Sequence, residues 1–329
     1  MATSNNLVDF LTSIANAIRN KKGTTGSINA QNFASEIESI ETGGSNALPK
    51  VVDRSVTELT SKDLENVTSI GNYAFYGCTS LTSIEIPNGA THICQAAFYN
   101  CTSLTSVQLP SSLIVIDGYS FQNCSALQTI TVPNSVTSIG NYVFYKCASL
   151  KSIEIPESVT TLGGNVFDEC TLLTSVQLPS SIAIINSYTF RNCTSLPTIT
   201  IPSGVHTIGA AAFDGCTSLT SVTIPSGVNT IGNYAFRNCT SLTSVTISSS
   251  AMSSIGQYAF RYDTALETAY LHTTSLTTKA TTAAKGFFYG CSSTLVLHIP
   301  SSVTNPATTY GAYWNYYASG AQLTYYADL

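Results

Sequence analysis

The chain has 329 residues, 43% of them hydrophobic but only 9% charged, with a net charge of −5. So sparse and slightly acidic a set of charges excludes a phosphate-binding surface, which needs clustered Lys and Arg, and leaves Ser, Thr, Asn and Gln to make the solvated surface. No apolar run approaches the ~18 residues that cross a bilayer, and Met1–Phe10 lacks the basic start and apolar run of a secretory leader.

Residues 1–45 form a unit of their own. Leu7, Phe10, Leu11, Ile14 and Ile18 fall at helical spacing on one face. Asn20-Lys-Lys-Gly23 supplies the basic residues and glycine that end a helix. A second short helix is predicted over 30–40, with Phe33, Ile37 and Ile40 inward, before Thr42-Gly-Gly-Ser45 breaks the chain. Such helices can pack on each other, form an oligomer seam or cap the first coil of the chain beyond them.

Residues 46–66 are a degenerate opening coil, with Val56, Leu59 and Leu64 inward. A strict period then sets in. Cys78, Cys101, Cys124, Cys147, Cys170, Cys193, Cys216 and Cys239 stand 23 residues apart, the mark of a solenoid. In the unit after Cys216, Leu219, Val222 and Ile224 point inward, while Ser221 and Thr223 alternate to the opposite face of a strand. Pro225 has no N–H for a ladder and ends the strand. Val228 and Ile231 make a second apolar pair, and Phe236 and Cys239 close the coil as one large and one small buried group. Gly232 shares its slot with Gly71, Gly140, Gly163 and Gly209, and also with Asp117 and Asn186. These residue types tolerate positive φ, so a left-handed turn is expected there; Cys94 departs from that pattern. One coil cannot bury enough surface to stand alone, so neighbours must share ladders and core.

The cysteines are expected as a column of reduced, buried thiols that ends where Asp263 takes the Cys slot. One residue is inserted after Ser248, and the next coil carries five more within Thr273–Lys285, expected as a bulging loop. Cys291 to Val303 regains the register, with Leu297, Ile299 and Pro300 in place. Residues 304–329, rich in Tyr and holding Trp314, are expected as an aromatic C-terminal cap.

No catalytic constellation is present. His92 and His206 share one slot five periods apart and are expected as exposed turn residues; His272 and His298 stand singly. Glu85 and Glu154 lie three coils apart, on the order of 15 Å, too far for a glycosidase pair. No Cys-x-x-Cys or co-ligand spacing suggests a metal, and no cofactor is expected. Surface is what remains. Two outward columns run along the strand face: one from Ser83 through Ser106 to Ser244, the other through Glu85, Gln108, Thr131, Glu154, Gln177, Thr200, Thr223 and Thr246 to Tyr270. From these, Ser83, Glu85, Gln108, Thr131, Glu154, Gln177, Thr200, Thr223 and Tyr270 are the candidate ligand-binding residues. The bland reading is a solvated β face that uses Thr for strand propensity. A second surface column holds Tyr73, Tyr119, Tyr142, Tyr188, Tyr234 and Tyr258, just before each Phe. The slot after each Phe carries Tyr76, Tyr145, Asp168, Arg191, Asp214, Arg237 and Arg261, among others. Tyr and Arg are what interfaces prefer; the plainer reading is that the Tyr rings shield the Phe beneath.

The words Leu-x-x-Ile/Val-x-Ile-Pro-x-x-Val-x-x-Ile-Gly-x-x-Ala-Phe-x-x-Cys, recurring over roughly residues 56–303, resemble the BspA-like class of leucine-rich repeat. That resemblance implies a curved solenoid with a parallel strand in every coil, cell-surface or host-interaction roles that are often adhesive, and no catalytic residues to carry over. The helical residues 1–45 resemble the segment that begins many phage and prophage tail-associated proteins, which would account for the missing leader. The expectation is therefore a β-rich leucine-rich-repeat solenoid with a short N-terminal helical segment: a helical anchor or cap over 1–45, the solenoid over 46–303 and a cap over 304–329. Its expected function is non-enzymatic recognition or adhesion at a host or bacterial surface, with a phage-tail component as one form of it. The alternative is a spacer or scaffold assembled through 1–45. A protein or glycan on a cell surface is the expected partner, with oligomerisation through 1–45 possible in either case, no nucleic acid and no membrane insertion. The expected setting is extracellular, cell-surface or virion.

Overall fold

The computed structural model describes residues 55–250, 252–274, 276, 286–306, 309 and 322–326. The helices expected within 1–45 lie outside the described residues, as do the greater part of the insert within Thr273–Lys285 and the greater part of the aromatic segment 304–329.

The described chain is a parallel β-solenoid. Val222 and Ile224 are buried while Ser221 and Thr223 are exposed, so the strand Ser221–Ile224 alternates as its sequence predicts. It pairs in parallel with Ser244–Ile247, and that strand with Thr268–Leu271, each residue set against its counterpart one coil on. The stack continues through Val296–Pro300 to Gln322–Tyr326, which lies within the segment expected as a cap. A second, shorter strand in each coil, such as Thr230–Ile231, builds its own parallel ladder. Among the described residues no helix is long and apolar enough to cross a membrane.

Between the two ladders lies one continuous core. Val56, Leu59 and Leu64 are buried in the opening coil, as expected. The Phe wedges are fully buried and stack ring on ring, from Phe75 on Phe98 at 5.0 Å to Phe260 on Phe288 at 5.3 Å. The cysteines beside them are free thiols. Each column thiol from Cys101 to Cys239 donates to the carbonyl of the Phe one coil back: Cys101 Sγ to Phe75 O at 3.1 Å, Cys170 Sγ to Phe144 O at 3.1 Å. That carbonyl also accepts the N–H of its own coil's Cys, as Phe75 O does from Cys78 N. The thiol is thus a small hydrophobe that satisfies the second lone pair of a buried carbonyl.

Two sequence expectations are corrected. The column does not end at Asp263: Cys291 Sγ donates to Phe260 O at 2.9 Å, so it is interrupted for one coil and resumes. The glycine slot is not left-handed either. Positive φ falls two residues later, at Tyr73, Tyr119, Tyr142, Tyr188, Tyr234 and Tyr258, and again before each Cys, at Gly77, Asn100, Asn123, Lys146, Glu169, Asn192, Gly215 and Asn238. The glycine is there for close approach. A Cβ on Gly232 would stand 2.5 Å from Ala210 N, and one on Gly140 2.4 Å from Gly118 N. Asn186, in the same slot, is accommodated with an exchange of partners. The glycines donate their N–H to an Ile carbonyl one coil back, whereas Asn186 sends its side-chain Nδ2 to Leu162 O at 2.6 Å. The short-strand ladder breaks at that point, between Thr161–Leu162 and Ile184–Ile185.

Candidate functional site

The long-strand ladder is itself cut twice. Its sheets run over Glu58–Leu59, Ser83–Glu85 and Ser106–Gln108, then over Ser152–Glu154 and Ser175–Gln177, then from Ser221–Ile224 onward. The segments around Thr129–Thr131 and Thr198–Thr200 form no strand, apart from a single bridge between Thr129 and Ser152. The second gap has a visible cause. In the slot preceding each strand, Thr82, Thr105, Thr174, Thr220 and Thr243 donate both N–H and Oγ1 to the carbonyl of the slot one coil back. Pro197 occupies that slot with neither donor, so nothing there reaches back to Thr174 O. Gln128 holds the slot at the first gap; it lacks the hydroxyl, but nothing in the structure explains why its N–H leaves the ladder.

Where the ladder opens, the face hollows. A trough of about 670 Å³ runs over Thr129–Asn134, Ser152–Glu154 and Ser175–Gln177. A second, of about 560 Å³, continues over Ser175–Gln177 and Thr198–Thr200 to Ser203. They share Ser175 and Gln177, so together they span both gaps. Four of the candidate residues, Thr131, Glu154, Gln177 and Thr200, line them. Glu154 and Gln177 are register partners on adjacent strands, both exposed. At the far wall Glu157 accepts from Ser180 N at 2.9 Å and from its Oγ at 2.7 Å. The trough therefore offers hydroxyls, the amides of Asn134 and Gln177 and the unengaged carboxylate of Glu154 over an apolar floor that includes Ile130 and Ile153.

The other candidates lie outside the trough. Ser83 and Glu85 pair with Ser106 and Gln108 further up the face, and Glu85 Oε2 accepts from Ser61 N at 3.3 Å. Thr223 pairs with Thr246, and Thr246 with Tyr270. The column does not stop at Tyr270. His298, which stands singly in the sequence, is its register partner and stacks on it with ring centroids 4.3 Å apart. The signal was available, since Leu297 and Ile299 flank His298 as the inward residues flank every outward one. His92 lies in a strand rather than a turn, exposed, with Nδ1 2.8 Å from Thr91 Oγ1. Among the described residues no group of three His, Cys, Asp or Glu is placed to hold a metal ion.

The turn edge carries its own order. Arg191 binds Asp168 through Nε at 2.9 Å and Nη2 at 2.8 Å, and Arg237 binds Asp214 in the same two-pronged way. Burial pushes the Asp168 carboxyl up from its usual range, and the hydrogen bonds from Arg191 and Asn165 pull it back without cancelling the burial. Each Arg also lies over the Tyr three residues before it, and Tyr119 stacks on Tyr142 at 5.0 Å.

A parallel strand, a proline stop, a stacked Phe and a buried Cys that recur from coil to coil, with few exceptions, define a leucine-rich-repeat solenoid. More narrowly, the chain belongs to the BspA type leucine rich repeat family, whose model matches residues 53–174 and 164–280. Among solved structures, it is 25% identical to a leucine-rich repeat protein from Eubacterium ventriosum, with a TM-score of 0.52, over 84% of this chain and 75% of that one. It is 32% identical to the Treponema pallidum leucine rich repeat protein, over 50% of this chain and 72% of that one, with a TM-score of 0.43. It is 27% identical to a leucine rich cell surface protein from Faecalibacterium prausnitzii, over 82% of this chain and 79% of that one, with a TM-score of 0.43. No curated protein matches the chain. Proteins of this repeat type are in general binding proteins rather than enzymes.

Proposed function

We propose that the protein is a non-catalytic recognition or adhesion protein, displayed outside the cell, that grips a protein or glycan on a cell surface through the troughs of its strand face. The observation that carries this is the coincidence of the two ladder gaps with adjoining hollows lined by Thr131, Glu154, Gln177 and Thr200. A uniform solenoid has no structural need to open its ladder, and a hollow with mixed donors and acceptors over an apolar floor is how binding sites are made. Cell-binding and glycan-array measurements with Glu154→Ala, Gln177→Ala and Gln108→Ala test it. Loss of at least five-fold is expected for the first two and little change for Gln108→Ala, which lies outside the troughs. Wild-type binding by all three variants would remove this face from consideration.

A second reading is a spacer whose N-terminal helices dock on an assembly, a phage tail among them, or join copies of the chain. The unbroken Phe stack from Phe75 to Phe288 suits a stiff rod, but the docking part rests on residues 1–45, outside the described residues. Deleting 1–45 separates the two: assembly lost with surface binding kept favours an anchored reader, and both unchanged removes the spacer.

A further inference from the structure

The turn edge repeats one device, and its third copy is incomplete. Arg191, Arg237 and Arg261 occupy the same slot in three coils, each over the Tyr three residues earlier, with Arg261 4.6 Å from the Tyr258 ring. In the first two, Nε and Nη2 grip a carboxylate supplied one coil back, Asp168 and Asp214. For Arg261 the slot one coil back holds Arg237, already committed to Asp214. Its Nη2 turns instead to the Tyr262 hydroxyl at 2.8 Å, and its Nε, buried, has no hydrogen-bond partner. Around it stand the rings of Tyr258, Tyr262 and Tyr289, at 4.6, 4.4 and 5.0 Å from the guanidinium carbon. Tyr262 is exposed, with 39% of its surface accessible.

We infer that Arg261 and its three tyrosines form a second binding site, for a carboxylated sugar. The repeat itself says what the missing partner is, since both complete copies set a carboxylate against Nε and Nη2, the fork geometry that guanidinium and carboxylate share. The ligand brings a single anionic group rather than a polyanion, because the chain as a whole is acidic and one cation is on offer here. It brings a ring as well, because the guanidinium stands among three tyrosine rings, whose aromatic and hydroxyl groups suit the apolar face and hydroxyls of a pyranose. Binding swings Tyr262 off the guanidinium and hands Nε and Nη2 to the incoming carboxylate. This site is separate from the strand-face troughs and stands whether or not they bind.

Calorimetric titration of the full chain with a glucuronate-containing tetrasaccharide, a matched neutral tetrasaccharide and an acidic hexapeptide tests it. Binding of the first alone is expected. A loss of at least ten-fold is expected in Arg261→Gln, and a smaller loss in Arg261→Lys, which keeps the charge but not the fork. Arg191→Gln and Glu154→Ala should bind the charged sugar as the wild type does, which separates this site from the strand face. Thermal unfolding of each variant checks the fold, and Tyr262→Phe, which loses only the hydroxyl, should bind no more weakly than the wild type. Equal binding of the neutral and charged sugars, binding of the acidic peptide alone, no binding at all, or full binding by a folded Arg261→Gln overturns the proposal.

Discussion

Asp263 Oδ1 accepts the backbone N–H of Cys239 at 2.8 Å, at the place in the thiol column where a carboxyl replaces a sulfur. Its other oxygen, Oδ2, is sealed from solvent without a partner. Burial pushes this carboxyl well above the usual carboxylate range and the charge of Asp214 adds to the push, while the Cys239 N–H pulls the other way and is outweighed. A protonated Asp263 can do what the missing thiol does and donate from Oδ2.

The pH dependence follows from that shift. A carboxyl whose folded pKa is raised binds its proton more tightly in the native state than in the unfolded chain, where the pKa is about 3.9. Stability is therefore full below that value and falls as pH rises towards the folded pKa, by up to about 1.4 kcal/mol per pH unit. Asp263→Asn keeps an acceptor for Cys239, adds a permanent donor and cannot ionise. It is expected to be more stable than the wild type by about 1–3 kcal/mol at pH 8 and to narrow that gap towards pH 4.5. Denaturant unfolding of both proteins across that range measures it, and parallel curves would rule out a titrating Asp263.

The thiols give a second prediction. Burial raises the pKa of the column cysteines, Cys101 to about 12, and each sulfur is engaged with a Phe carbonyl. Thiolate is the reactive form, so at pH 8 a pKa of 12 leaves roughly one part in ten thousand able to react. Cys94 sits outside the column and is half-exposed, although burial and the nearby Asp117 raise its pKa too. Iodoacetamide should therefore label Cys94 first in the native protein, with Cys101 to Cys239 labelled only when the solenoid opens. Peptide mass spectrometry reads this residue by residue; column thiols that label as fast as Cys94 would mean that the stack is not closed.

What the sequence made legible was what the repeat states twice. The alternation of Val222 and Ile224 with Ser221 and Thr223, the stacked Phe and the buried Cys recur from coil to coil, and a period is read by comparing copies. What it hid were features whose cause lies in the neighbouring coil. Gly232 looks like a turn glycine along the chain, and only the backbone of Gly209–Ala210 beneath it shows that space, not φ, is the constraint. Left-handed φ falls on Tyr234, a residue that local rules would not choose, because the neighbouring coils over-determine it. Pro197 was visible as a proline in a threonine slot, yet its effect on the ladder requires knowing that the slot donates to the coil behind. The opposite charges of Asp168 and Arg191 stood 23 residues apart in plain sight and read as surface variation, since a pair is evident only once the coil spacing is known.

Gly232→Ala tests the close-approach account. The new methyl would meet Ala210 N and Gly209 C at 2.5 Å, and backbone cannot give way as a side chain can. A loss of about 1–3 kcal/mol or more is expected from overpacking. The turn account predicts a different pattern, because it puts the penalty on positive φ. Tyr234→Gly, where φ is 59°, should relieve part of the left-handed strain, though it loses the ring under Arg237. If Gly232→Ala proved neutral by thermal unfolding, coil spacing would not be set at this slot.

Pro197→Thr joins stability to recognition. Threonine restores an N–H and a hydroxyl in a slot where Thr174 and Thr220 each make both bonds to the coil behind. Closing the ladder onto Thr174 O should stabilise the fold by about 0.5–1.5 kcal/mol per bond formed. Part of that gain is offset because proline stiffens the unfolded chain, so a net gain on the order of 1 kcal/mol is expected. The same closure draws Thr198–Thr200 towards Ser175–Gln177 and shrinks the second trough. A variant that is more stable yet binds the proposed cell-surface ligand several-fold less well would mean that the proline is kept for the hollow it opens. A variant that gains stability with binding unchanged would leave the proline without that role and move the site towards Thr131 and Glu154. Unfolding midpoints and cell-binding curves on one preparation decide between them.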